Sequence, residues 1–198
     1  MAHFAELTPP IAAPSLALVN KVIQHLREQA FVEPLPNRGF ALRDAEGLLR
    51  EWSAAYRFDR NVRQRYFTLL HGRTLQEKLR ALDPNALGRV AFAAFSAADF
   101  QAANVRQPRT WLYVSPRAKN DFETAIEAKL VDSGENVVVM VPDDLAVFYR
   151  LEANKSRLAC TNAVQTYVDL IHAGGRGAEA AEALLEQRLR PAWGAAAR

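Results

Sequence analysis

Asn20, Lys21 and Gln24 lie close together in a segment whose apolar residues repeat at helical spacing. Their chemistry suits the reading of base edges. An amide can donate to and accept from adenine at once, and a lysine can donate to guanine or to a phosphate. Ser15 stands at the head of this segment, where its hydroxyl can accept from a free backbone N–H of the first turn. Leu16, Val19, Ile23 and Leu26 define a stripe expected to be buried, widened by Val22. The opposite face carries Ala17, Asn20, Lys21, Gln24 and Arg27, with Leu18 near its edge. Small residues near the start allow such a helix to approach bases closely. The same polar face also fits an ordinary solvated helix surface.

The residues that follow add a second element. Phe31 and Val32 resume an apolar run, residues 40–42 form another, and Pro34, Pro36, Asn37 and Gly39 between them are turn formers. Asn37 and Arg38 fall at the expected tip, where a cation can reach a phosphate or a minor groove. A helix followed by such a hairpin is the order required by a winged helix-turn-helix. A winged helix usually has two helices ahead of the recognition helix, and residues 4–7 are the lone candidate for one here. The module is therefore expected to lack its first helix.

Further along, Arg57, Arg60, Arg63 and Arg65 form the densest cation cluster in the sequence. Arginines so placed neutralise DNA phosphates, adding salt-dependent affinity without sequence information. They equally suit a linker and an exposed strand edge, where charge discourages aggregation.

Other constellations are thinner. Glu127 and Lys129 match the tail of a carboxylate–lysine nuclease motif, and Asp143 and Asp144 follow an apolar run, where carboxylates can bind metal. Glu127 falls in a helical pattern, however, and Pro142-Asp143-Asp144 is also turn chemistry. The run Gly174-Gly175-Arg176-Gly177 could cradle a phosphate ahead of a helix, but it lacks the lysine and hydroxyl of a P-loop and no strand precedes it. It reads instead as a helix–helix connection. His3, His25, His71 and His172 show no ligand or triad spacing. The single cysteine, Cys160, excludes an internal disulfide and a Cys-rich zinc site, and its apolar context suggests a buried thiol. No catalytic residue, metal ligand or cofactor is assigned.

The elements that would position these residues can be read in outline. Asp44 can cap a helix reaching Tyr56, with Leu48, Leu49, Trp52 and Tyr56 on its apolar side. Residues 64–70 are strand-like. Residues 74–82 read as a helix stopped by Asp83-Pro84, and residues 87–100, rich in Ala and Phe, as a second. Residues 110–115 suggest a strand, and residues 119–131 a helix with Phe122, Ile126 and Leu130 in register. Residues 136–141 form the clearest strand, a continuous apolar run suited to a sheet's buried centre. Residues 145–151 suggest another strand, and residues 163–173 and 178–189 two final helices.

Residues 15–42, together with 43–56, resemble the winged-helix part of the AbiEi-like antitoxins. Residues 163–171 and 174–182 resemble the same family's C-terminal region. That resemblance implies a transcriptional regulator of a type IV toxin–antitoxin system, connected with abortive phage infection. It implies repression of its own operon through inverted repeats in double-stranded DNA. It also implies opposition to a toxin without a stable complex. The nucleotidyltransferase pattern associated with the partner toxin, a Gly-Ser loop with paired aspartates, is absent. The 198 residues are 49% hydrophobic, enough for a real core, and the formal charge of +3 permits nucleic-acid binding without demanding it. No apolar run approaches the ~20 residues of a membrane span, so a cytoplasmic location is expected. The expected architecture is α+β. A winged-helix domain over residues 1–60 precedes a mixed α/β domain over 61–198, its small sheet covered by helices. Weak self-association is compatible with this. The alternative is a protein–protein interaction module with a degenerate winged helix. A metal-dependent nuclease using Glu127, Asp143 and Asp144 is the remoter alternative.

Overall fold

The computed structural model describes residues 14–36, 39–82, 89–102, 107–153 and 158–196. Helix α1 (Leu16–Glu28) leads into a two-stranded antiparallel hairpin, β1 (Val32–Pro34) and β2 (Phe40–Leu42). Ser15 caps α1, its hydroxyl accepting from the Leu18 amide at 3.2 Å. At the other end, the Ala30 amide donates to Arg27 and the Phe31 amide to Leu26, a reversal that places Ala30 at φ 59°. This is a Schellman ending, with alanine where glycine is the usual occupant.

Helix α2 (Ala45–Ala55) starts at Asp44, whose carboxylate accepts from the Gly47 amide at 2.8 Å. It packs against α6 (Ala163–His172), burying Leu49 and Ser53. Trp52, expected on the buried side, is 46% exposed instead, because the helix meets its neighbours through the small Ser53.

The rest is built on a seven-stranded mixed sheet. Its strands are β3 (Val62–Phe67), β4 (Val90–Phe92), β5 (Thr110–Val114), β6 (Lys129–Leu130), β7 (Val137–Val141), β8 (Glu152–Ala153) and β9 (Ala159–Cys160), in the order β6-β3-β7-β5-β4-β9-β8. β5 runs parallel to β7 and β4 parallel to β9, and the other pairs are antiparallel. The centre of β7 is buried on both faces, as its unbroken Val-Val-Val-Met run requires. One face presents Trp111, Tyr113, Val138 and Met140 to α2, α4 (Ala94–Gln101), α6 and α7 (Gly177–Leu184). The other presents Leu112, Val114, Val137 and Val139 to α3 (Gly72–Ala81) and α5 (Lys119–Ala125). The result is α+β, with helices on both sides of the sheet.

Several local expectations are corrected. Residues 90–92 of the Ala/Phe-rich segment are strand β4, and the helix begins only at Ala94, after a kink that gives Ala94 φ 44°. The run from Lys119 leaves the helix at Ile126, where Glu127 turns left-handed (φ 52°) and the chain enters β6. Leu145–Phe148 is a 3-10 turn capped by Asp144, not a strand. The Gly174–Gly177 turn does join α6 to α7. Gly174 and Gly175 take positive φ, and a Cβ on Gly177 would lie 2.1 Å from the Leu170 carbonyl oxygen. After α7, residues Leu185–Leu189 widen to a π turn before α8 (Arg190–Ala196). Among the described residues, no helix is long and apolar enough to cross a membrane.

Candidate nucleic-acid interface

Ala17, Leu18, Asn20, Lys21, Gln24 and Arg27 are all exposed on α1. Gln24 donates to the Glu28 carboxylate at 3.0 Å, which orients its amide along the helix. The opposite stripe departs from expectation. No residue of α1 is buried; Val19, Ile23 and Leu26 are half-covered, while Leu16 is 67% exposed. The reason is geometric: the hairpin alone meets this stripe at length, through β1, and three-residue strands cover little of a thirteen-residue helix. The hairpin itself is well tied. Val32 pairs with Leu42, the Leu35 amide donates to Gly39, and the Arg43 and Asp44 amides both reach the Phe31 carbonyl. Asn37 and Arg38, the expected tip, lie outside the described residues, as do residues 4–7.

Of the four junction arginines, Arg57 stands just before a 3-10 turn (Phe58–Arg60), Arg60 ends that turn, and Arg63 and Arg65 lie on strand β3. Arg57 forms a two-pronged pair with Asp59, at 3.0 and 2.8 Å. That bond raises the guanidinium pKa and lowers that of the carboxyl. Arg60 stands 3.9 Å from Asp143, a loose exposed pair. Arg63 faces Met140 across the β3–β7 ladder, and Arg65 faces Val138 and donates to the Asp132 carbonyl at 2.9 Å. Alternation along β3 puts Arg63, Arg65 and Phe67 on one sheet face. Lys129 of β6 pairs with Phe67 and joins that face. The helices covering β5 and β7 stop short of this margin, which stays open and basic.

Beside the margin, just past the end of α2, the structure holds a cavity of about 530 Å³. Tyr56, Phe58 and His172 form its aromatic wall, with Phe58 and His172 stacked at 6.0 Å between centroids. Arg57, Arg63 and Asn61 supply polar edges, and Met140 belongs to its lining as well. Tyr56 and Asn61 are held from behind by a buried polar network. Asp169 accepts from the Tyr113 hydroxyl at 2.9 Å and from the Gln165 amide at 2.8 Å. The Tyr56 and Tyr113 hydroxyls lie 3.3 Å apart, and both accept from the Asn61 amide. Asp169 is fully buried, and burial pushes its carboxyl up to about 7 against the pull of its two hydrogen-bond donors. Tyr113 and Tyr56 are likewise raised, chiefly by burial and then by the nearby Asp169.

None of this network follows from local pattern, because Tyr56, Tyr113 and Asp169 come from three distant segments. One signal was available: Asp169 is an acid in an otherwise apolar stretch of α6, four residues after Gln165.

The nuclease trio is not assembled. Asp143 follows the Val141 end of β7, level with Val62, whereas Glu127 precedes β6, level with Phe67. The length of β3, roughly 20 Å at ~3.3 Å per residue, lies between them. Asp144 is occupied as a cap, accepting from the Ala146 amide at 2.8 Å. Among the described residues no three His, Cys, Asp or Glu side chains gather as a metal site. Cys160 is buried, and burial raises its thiol to about 11, well away from a reactive thiolate.

A family model of transcriptional regulators matches this chain over residues 41–190, from β2 to the first residue of α8. The chain is therefore of a class of transcriptional regulators. More closely, the family is that of the AbiEi antitoxins of type IV toxin–antitoxin systems, and the chain belongs to it. No curated protein and no solved structure matches the chain. The matched span takes in the basic margin and the cavity, and leaves α1 and β1 outside.

Proposed function

We propose that this protein is a DNA-binding, antitoxin-like repressor of its own operon, acting in the cytoplasm on inverted repeats in double-stranded DNA. The observation that carries the reading is the exposed polar face of α1 running directly into a tied antiparallel hairpin, in a chain of this regulator family. In this reading residues 1–60 form a winged helix that reads sequence, and residues 61–198 form the mixed α/β domain. Ser15, Ala17 and Leu18 bring the start of α1 close to the groove. Asn20 and Gln24 pair with adenine, and Lys21 with guanine or phosphate. Asn37 and Arg38 act at the wing. Arg57, Arg60, Arg63 and Arg65 hold phosphates and set affinity rather than preference. Inverted repeats call for two copies on one operator, so weak self-association suffices and no stable toxin complex is required.

The test is a salt titration of binding to the protein's own promoter and to scrambled duplex. Asn20→Ala or Gln24→Ala lowers sequence preference by about 1–3 kcal/mol. Replacing Arg60 and Arg63 together by Gln weakens both duplexes alike, and shallows the slope of log affinity on log salt by up to about two. Equal wild-type affinity for promoter and scrambled DNA refutes the proposal. The exposed Leu16, Leu18, Val22, Phe40 and Leu42 favour a second reading, a protein-docking module built on the same helix and hairpin. That reading is supported instead if Leu18→Ser leaves promoter binding intact but abolishes neutralisation of the toxin.

A further inference from the structure

The cavity beside β3 has an aromatic wall that the repressor reading does not use, next to two arginines which that reading places on phosphates. Its size lies in the range of small-molecule sites rather than of packing defects. Its wall is three neighbouring rings, Phe58 and His172 stacked within 17° of parallel at 6.0 Å and Tyr56 tilted 52° and 50° to them, so that a planar group can lie against one ring face and meet another at its edge. The wall is also rigid. His172 is fixed on the Ser53 carbonyl at 2.8 Å, and the Tyr56 hydroxyl is held by the buried network. Two arginines, Arg57 and Arg63, complete the lining. Arg57 is already turned toward Asp59, whereas Arg63 has no carboxylate partner among the described residues. The charged residues of the lining, Arg57, Asp59 and Arg63, sum to +1.

These features select the ligand. An inorganic anion would make no use of the rings, and a purely apolar ligand would leave the guanidiniums idle. A divalent cation would find one carboxylate, itself held by an arginine. A planar heterocycle carrying phosphate uses every part. We propose that this cavity binds a free nucleotide, its base against Tyr56, Phe58 and His172 and its phosphates on Arg63 and Arg57. A base and phosphate could also be supplied by a nucleic-acid strand, but the volume is that of a single small-molecule site, and the oligonucleotide arm of the experiment separates the two. The inference does not depend on operator recognition, since it is measured without duplex.

The experiment is calorimetric titration of the full chain with ATP, GTP, CTP and UTP, beside inorganic tripolyphosphate and a short single-stranded oligonucleotide. At least one nucleotide binds saturably and at least about fivefold more tightly than tripolyphosphate, the margin expected from stacking one base. Arg63→Gln weakens it about tenfold or more, as loss of a charged phosphate contact implies. This exposed side chain can be changed without touching the core, which an unchanged melting curve verifies. Phe58→Leu weakens nucleotide binding and leaves tripolyphosphate unaffected. Absence of saturable binding by all four nucleotides overturns the proposal, as does tripolyphosphate binding equally well. Insensitivity to Arg63→Gln also overturns it. An oligonucleotide competing as well as the free nucleotide reassigns the site to a strand and equally overturns it. Loss of promoter recognition alone leaves the nucleotide result standing.

Discussion

Replacing Asp169 by asparagine should remove a loss of stability that grows as pH rises from 4 to 7, so that the variant gains on the wild type over that range. The carboxyl is fully buried among Tyr113, Gln165 and the α6 core, and one of its two oxygens has no hydrogen-bond partner. Burial raises it from its ordinary 3.8 to about 7. Below pH 4 both folded and unfolded chains carry the proton, and the group contributes no pH dependence. Between 4 and 7 the unfolded carboxyl ionises while the folded one keeps its proton, so stability falls by about 1.4 kcal/mol for each pH unit. Over about three units the loss is about 4 kcal/mol, complete above pH 7. The asparagine side chain would accept the same two hydrogen bonds through its carbonyl and never ionise. The assay is urea unfolding of both proteins at pH 5, 6, 7 and 8. Comparing the two cancels the titration of every other group they share. The stability of Asp169→Asn relative to the wild type should rise up to about pH 7 and then level, offset by a constant cost for the amide donors placed where Oδ2 has no partner. A gap that is constant across this range would show that the buried carboxyl is already ionised, and would refute the reasoning.

Three further substitutions probe other parts of the fold. Ala30→Gly should relieve the left-handed cap at the end of α1 and stabilise the helix and hairpin by about 0.5–1 kcal/mol, seen as slower amide exchange over residues 26–31; faster exchange would contradict the strain. Gly177→Ala should cost about 1–3 kcal/mol, because its Cβ would meet the Leu170 carbonyl oxygen at 2.1 Å; an unchanged melting temperature would mean that the α6–α7 turn relaxes freely. Val139→Asp should unfold the sheet, since the side chain is fully buried and offers a carboxylate no partner; a folded variant would place β7 at the surface.

What the sequence made legible was local. Asp44 and Ser15 are caps because a short acceptor stands just before each helix, and β7 is a strand because four consecutive apolar side chains need cover on both faces. The misreadings arose where tertiary context overrode composition. Alanine and phenylalanine over residues 90–100 have the composition of one helix, yet the sheet claims Val90–Phe92 and forces the kink at Ala94. Helical spacing runs on through Leu130, but nothing in it shows that Glu127 turns left-handed. The arginines of the interface were legible as a charge run. The cavity behind them was not, since its rings and amides meet only after α2, β3 and α6 have packed.

The ordering of the sheet also bears on how copies of this protein can meet. Its outermost strands, β6 and β8, are two residues each, too short to template another chain's backbone. Where β6 falls short, the uncovered rim of β3 is flanked by Arg63 and Arg65, which would confront the same charges on a neighbour added there. Strand-to-strand polymerisation is thereby disfavoured at both ends. The protein can reach high local concentration without seeding fibres, and any pairing of copies is left to its helical surfaces.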